Sequence, residues 1–188
     1  MGTRWMAGVL MATALIGAGH PLAAQDDKGK TAATELAGSS QAALEKLYGS
    51  TELAKLLGPK AEAILVFPKV TKAGFGIGGQ YGEGSLLKNG TAVAYYKTTG
   101  ASFGLQAGGQ QYGYAMFFMN AKALDEFVNA SGFEVGVGPS VVLVDEGMAK
   151  STTTSTLKGD IYAFVFGQKG LMAGLGVQGN KITKITPE

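Results

Sequence analysis

The residues able to do chemistry in this chain are few in kind. Its one histidine is His20, its one tryptophan is Trp5, its one arginine is Arg4, and it has no cysteine. All three residues lie in the first 24 positions, an expected leader. Carboxylates, lysines, hydroxyls and phenols remain. That inventory excludes a Ser-His-Asp triad and a cysteine nucleophile. It also withholds the usual nitrogen and sulfur ligands of zinc, so neither a metal site nor a cofactor is expected. Asp125-Glu126 and Asp145-Glu146 are adjacent acid pairs, and Glu83 stands alone among glycines. Glycoside hydrolysis needs two carboxyls facing across a gap. Neighbouring side chains on a helix or strand diverge, so neither pair makes such a dyad, and no enzyme is expected.

Beyond Arg4, lysine is the only fixed cation, so an anionic ligand must be met by lysine or by backbone N–H groups. Lys69 and Lys72 flank Val70-Thr71, and Lys169 precedes Gly170. These lysines could converge at one end of a sheet; the alternative is that each is a solvated surface residue. Tyr81, Tyr95, Tyr96 and Tyr112 suit either a membrane interface, where one end of the ring is wet, or a core. The net charge is only +2, which does not describe a nucleic-acid-binding protein.

Lys72 to Gly84, "KAGFGIGGQYGEG", spells G-x-G-x-x-G at Gly74, Gly76 and Gly79. A dinucleotide site needs a helix after that turn and an acidic residue about twenty positions on. "QYGEGSLLKNG" is no helix, and Tyr95 and Tyr96 occupy the acidic positions. The stretch has relatives at "SFGLQAGG", "GFEVGVG" and "KGLMAGLGV". In each, large apolar residues stand two apart with small ones between them: Phe75 and Ile77; Phe103 and Leu105; Phe133, Val135 and Val137; Leu171, Leu175 and Val177. Period two is the period of a strand. One face carries bulk for a core, and the bare face lets another backbone approach closely or the sheet coil sharply. Gly74, Gly76, Gly78, Gly79, Gly104, Gly170 and Gly174 are the structural glycines on this reading. The fold class is α+β: a strongly curved, mainly antiparallel, glycine-rich sheet or half-barrel with a few packed helices.

The other elements follow from local signals. Residues 1–24 read as a secretory signal peptide, with a basic start, an apolar run from Met6 to Gly19 and cleavage near Ala24. Residues 25–33 read as a flexible polar tail, and 34–188 as a single domain. Thr34–Leu47 has helical spacing, and a short helix capped by Ser50 or Thr51 stops at Gly58-Pro59. "EAILVF" is a strand closed by Pro68, and Lys88-Asn89-Gly90 a type I′ hairpin turn. "TAVAYYK", "YAMFFM", "SVVLVD" and "IYAFVFG" are strands. Asn120 caps a helix with Leu124, Phe127 and Val128 inward. Ser151–Thr156 is an edge strand or an exposed loop.

Three motifs, P-x-V-x-K-A-G-F-G-I-G-G from Pro68, S-x-G-L-Q-A-G from Ser102 and K-G-L-x-x-G from Lys169, occur in order between Glu62 and Gly179. Together they resemble the SYLF-domain family, a lipid-binding domain of yeast actin-patch proteins and of secreted single-domain bacterial proteins. The resemblance implies a non-enzymatic domain that binds anionic phospholipid or a membrane surface. Lys69, Lys72, Lys169, Tyr81, Tyr95 and Tyr96 are its candidate lipid-binding residues. With a leader, the chain is expected in the periplasm or secreted, where actin is not an expected partner. The alternatives are a small outer-membrane β-barrel and an envelope protein that binds a partner without lipid.

Overall fold

The structure, a computed structural model, describes residues 22–135, 139–144, 158–170 and 180–188, with side chains except at 22–26, 75–76, 102–107 and 170. Two long strands make its frame. β1 (Ala63–Lys88) and β2 (Thr91–Phe118) pair antiparallel from end to end. Between them Asn89 and Gly90 take φ of 50° and 77°, the positive values a type I′ turn requires. The other edge of β2 serves two partners. Residues 95–99 pair with β6 (Lys181–Ile185), and residues 110–118 with β5 (Ile161–Gly170). β3 (Phe133–Glu134) lies beyond β6, and β4 (Val141–Val144) lies parallel beyond β5. The described strands thus form one six-stranded sheet with a β5 arm and a β6 arm, both hung on the hairpin. It is the strongly curved, mainly antiparallel sheet expected from the sequence.

Pro68 does not end the first strand, contrary to expectation. Phe67 faces Tyr114 and Val70 faces Tyr112, so residues 68 and 69 bulge opposite Gly113. A bulge is where a strand tolerates a residue without an N–H. The register slips again between Phe75 and Ile77, where the hairpin bends. A Cβ on Gly74 would fall on the Gly78 Cα and 2.6 Å from the Ile77 carbonyl oxygen. Past the bend β1 comes back over its own first half. A Cβ on Gly82 would stand 2.8 Å from the Lys69 carbonyl oxygen and 3.1 Å from the Val70 Cα. One on Gly84 would strike the Val66 carbonyl oxygen and lie 2.7 Å from the Phe67 ring. Close backbone approach therefore explains Gly74, Gly82 and Gly84. It does not explain Gly79, whose nearest neighbour would be the Gly100 carbonyl oxygen at 3.9 Å. Gly76, Gly78 and Gly104 are strand residues of the bent region and Gly170 ends β5; Gly174 and Ser151–Thr156 lie outside the described residues.

Curling gives the sheet an inside and an outside, and both faces of the β5 arm are buried. Leu65, Phe67, Tyr114, Met116, Phe118 and Ile161 point inward and meet Leu86, Tyr96 and Ile182 of the β6 arm. Ile64, Val66, Ala115, Phe117, Tyr162 and Phe164 point outward, which is why "AILVF" and "AMFF" read as unbroken apolar runs. Leu44, Leu47, Leu53 and Leu57 of α1 (Leu22–Ser50) and α2 (Glu52–Leu57) cover that outer face. α3 (Ala121–Asn129) seals the interior with Phe127.

Helix details differ from expectation in three places. The tail assigned to 25–33 belongs to α1. Ala23, Ala24, Ala32 and Ala33 favour helix, the Thr31 and Thr34 hydroxyls donate to carbonyls one turn back, and Gly29 lies beside the Pro187 carbonyl. Thr51 is the N-cap of α2 but makes no side-chain capping bond, and Gly58 continues into a 3-10 turn, Gly58–Lys60. Val128 of α3 is exposed, and Ala123 takes the buried position beside Phe127.

Asn120 caps α3 as expected, accepting from the Ala123 N–H at 2.9 Å. Its amide also donates to Asp160 Oδ1 at 2.9 Å, while Asp160 Oδ2 accepts from the Ser140 hydroxyl at 3.0 Å. One carboxylate thereby ties together the starts of α3, β4 and β5. The Asn120 bond, followed by those from Ser140, holds the Asp160 carboxyl below its ordinary range. A depressed folded pKa contributes stability above the unfolded value, about 3.9 for aspartate, and loses it as pH falls through the folded value. Asp160→Asn is therefore expected to flatten the acid side of the stability–pH curve. Denaturant midpoints measured below about pH 4 check this; parallel curves for parent and variant would dismiss the clamp.

Candidate ligand-binding faces of the curled sheet

The alternation of the strands sends the candidate residues to different faces. Thr71, Gln111 and Lys169 form one cross-strand row on the outside of the β5 arm, and all three are exposed. Lys69, exposed in the Pro68 bulge, adds a second cation there. Lys46 of α1 adds a third, its ammonium 3.9 Å from where a Gly167 Cβ would stand. Lys72 belongs to the next row, opposite Gln110, and faces the interior with 8% of its surface exposed. Lys69 and Lys169 are thus exposed while Lys72 is buried, so Lys72 does not share their surface.

The tyrosines divide likewise. Tyr81 lies on the outside of the β6 arm, half exposed, donating to the Glu83 carboxylate. That bond, followed by desolvation and the Glu83 charge, raises its pKa. Tyr95 is half-buried on the same face, in a row with Ser85 and Ile185. Tyr96 is a core residue: 3% exposed, its ring centroid is 4.8 Å from that of Phe127. It cannot serve a membrane interface from there. Ile77 also departs from expectation. Assigned to the bulky core face, it is 71% exposed at the bend, and Val93 at the far end of this arm is 56% exposed. α1 covers the turn end of this outer face, where the Ser40 hydroxyl donates to Ser85 and where Leu87 and Ala92 pack with Leu44 and Leu47; beyond it stand Lys97, opposite Glu83 and Thr183, and Lys181, opposite Thr99.

Inside, beneath the bend, the core turns polar. Gln80 of the β6 arm accepts from the Tyr112 hydroxyl of the β5 arm at 3.1 Å. Asn180 lies against Gly100, the cross-strand partner of Gln80. Lys72, Gln80, Thr98, Gln110 and Asn180 are all buried. Among the described residues, five buried side-chain atoms find no hydrogen-bond partner: Gln80 Nε2, Tyr96 Oη, Thr98 Oγ1, Gln110 Oε1 and Tyr114 Oη. Burial pushes the Tyr112 phenol up to about 12 and raises Tyr96. Burial, then the neighbouring Tyr112, raises Tyr114. All three hydroxyls therefore keep their protons at neutral pH. Sequence reasoning passed over Gln80, Thr98, Gln110 and Asn180. The available signal was parity: Gln80 and Gln110 are polar residues at strand positions two removed from Gly82 and Tyr112, which point inward.

Among the described residues no helix is long and apolar enough to cross a membrane. Residues 99–187 match the family model Ysc84, described as "Las17-binding protein actin regulator". No curated protein matches the chain.

Proposed function

Residues 99–187 match the Ysc84 (SYLF) family model, and from that match we propose that the chain is a non-enzymatic domain that docks on anionic phospholipid membranes. The observation that carries this reading is the exposed stretch of the outer face of the β6 arm beyond α1. There Ile77 and Tyr81 are 71% and 49% exposed, with Val93 56% exposed at the far end of the arm, and Lys97 of β2 and Lys181 of β6 stand in the rows between. An apolar surface of this kind with cations among it suits a bilayer, where side chains enter the headgroup region and lysines meet the lipid charge. Each lysine close to an anionic surface contributes about 1 kcal/mol, which gives reversible attachment. The family description names an actin regulator; the leader reading directs this chain to the periplasm or outside the cell, away from actin. An outer-membrane barrel is the weaker reading, because α1 and α2 cover the outer face of the β5 arm where a barrel would meet lipid.

The reading is tested by co-sedimentation with vesicles of phosphatidylglycerol and phosphatidylcholine at low salt. The protein is expected to bind these and to favour them over pure phosphatidylcholine. The preference should fade as salt shortens the screening length to roughly 10 Å at 0.1 M. Ile77→Glu with Val93→Glu should abolish binding and leave the circular dichroism unchanged. Lys69→Glu with Lys169→Glu should reduce it only by weakening long-range attraction. If the lysine variant loses binding and the apolar variant keeps it, the membrane face is the outside of the β5 arm. If the parent ignores anionic vesicles, surface docking is wrong.

A further inference from the structure

We propose that the first half of α1 is a strap. It opens on a hinge at Gly38-Ser39 while the rest of the helix stays seated, and it thereby gates the outer face of the β6 arm. The gating rests on the docking reading above; the hinge does not. Two anchors fix the course of the strap. At one end the Ser40 hydroxyl lies 3.2 Å from the Ser85 hydroxyl and 3.3 Å from the Val66 carbonyl oxygen. At the other, a Cβ on Gly29 would stand 3.2 Å from the Pro187 carbonyl oxygen. Ser85, Tyr95 and Ile185 form one outward row, and Pro187 lies two residues past Ile185. A helix running from Ser85 to Pro187 lies across that row. Tyr95 and Ile185 are accordingly half-buried, on a face where Ile77 and Tyr81, beyond the helix, are exposed.

The two halves of α1 are held unequally. Ser40, Leu44 and Leu47 are buried, and the Gln41 amide donates to the Gly90 carbonyl at 2.7 Å. None of residues 27–39 is buried. Their half-buried positions are Gly29, Ala32, Ala33, Leu36 and Ala37, and of these only Leu36 has much apolar surface to lose. The Thr31 and Thr34 hydroxyls bond within the helix rather than to the sheet. Between the halves stand Gly38 and Ser39, both exposed. Helices kink at Gly/Ser pairs, and glycine weakens a helix interior. Packing does not dictate this glycine, since a Cβ on Gly38 would have no neighbour within 4 Å. The weak point falls immediately before the residue that pins the helix to the sheet. Off the sheet, residues 27–37 make too short a helix to hold its shape in water. Opening therefore unravels them and leaves the core intact, a local event well below global unfolding in free energy. It bares Tyr95 and Ile185 in the row beside Lys97 and Thr183, which enlarges the exposed face.

Hydrogen–deuterium exchange of the whole protein tests the strap. The amides of residues 31–37 should exchange about a hundredfold faster than those of 44–47, as a separately opening unit does. Gly38→Ala meets no clash and favours helix, and should slow the 31–37 amides about fivefold. Gly29→Val should speed them, although valine is the better helix former, because its side chain lifts the strap off Pro187. Neither variant should move the amides of 44–47. Equal protection of the two segments makes α1 a single unit and overturns the strap. So does a Gly38→Ala variant whose 31–37 amides exchange as in the parent. The gate is read with phosphatidylglycerol vesicles at low salt. A binding form present in only a fraction of molecules lowers the apparent affinity by that fraction. Gly29→Val should therefore bind more tightly than the parent and Gly38→Ala more weakly, in the order of their exchange rates. Equal vesicle binding by three proteins whose exchange rates differ leaves the strap and overturns the gate. A parent whose strap opens but which ignores the vesicles overturns docking, and the gate with it.

Discussion

Gly84→Val is expected to destabilise the protein severely and to lower its denaturant midpoint sharply. The position lies in a strand, where valine has the better intrinsic propensity and glycine the larger entropic cost, so local preference predicts a gain. The fold predicts the reverse. The new Cβ would occupy the space of the Val66 carbonyl oxygen and stand 2.8 Å from the Val66 carbonyl carbon. These are backbone atoms, and Val66 is fully buried under α1 and α2. Overpacking against movable side chains costs about 1–3 kcal/mol. Against backbone held on both faces the loss should exceed that, about 4 kcal/mol or more, a large share of a domain's total stability. Gly79→Val is the internal control, since its nearest contact would be 3.9 Å away; its denaturant midpoint should hold or rise. If Gly84→Val matches the parent, β1 does not cross itself as described.

Phe127→Ala should cost about 3–5 kcal/mol, the range for a buried phenylalanine. Phe127 is 1% exposed. Its ring centroid lies 4.8 Å from that of Tyr96, 4.9 Å from Phe118 and 5.2 Å from Phe133. These three come from the two ends of β2 and from β3, so one ring joins both arms at the interior's sealed end. Truncation would open a cavity that rigid strands cannot fill by collapse. The next residue supplies the contrast. Val128 is 41% exposed, and Val128→Ala should stay within about 0.5 kcal/mol of the parent. Chemical denaturation of both variants checks the pair; equal midpoints would remove α3 from the core.

The parts of this fold legible in the sequence are those governed by local chemistry. Asn89-Gly90 announces its turn because few residues accept positive φ, and Asn120 announces its helix because a side chain can satisfy an end N–H. Curvature was legible too, since bare strand faces have few uses. Pro68 misled because its rule concerns a missing N–H, and a bulge removes the need for one. Ile77 misled because period two says which residues share a face without saying which face is inside. The register shift at the bend, between Phe75 and Ile77, sets that, and it depends on the partner strand. The interior polar residues were hidden for the same reason. Gln80 and Gln110 look like surface residues until the sheet curls over them.

The division of β2 between two partners also sets an order of assembly. β1 and β2 are joined by a two-residue turn and can zip from it with little loss of chain entropy. β6 must return to β2 across 82 residues, the separation of Thr99 and Lys181, and β5 across roughly half that. Each doubling of a loop costs only about 0.6 kcal/mol, so β5 leads β6 by little, while the hairpin leads both. For a time the hairpin therefore carries a long bare ladder, the kind of edge that recruits other chains. The lysines of β6 acquire a purpose in that interval. Native pairing sets Lys181 opposite Thr99 and Lys184 opposite Tyr96. Two copies of β6 laid antiparallel, Lys181 against Lys184, would oppose like charges twice, a pairing that repels. In that register the same five residues that join β2 repel a second copy of themselves.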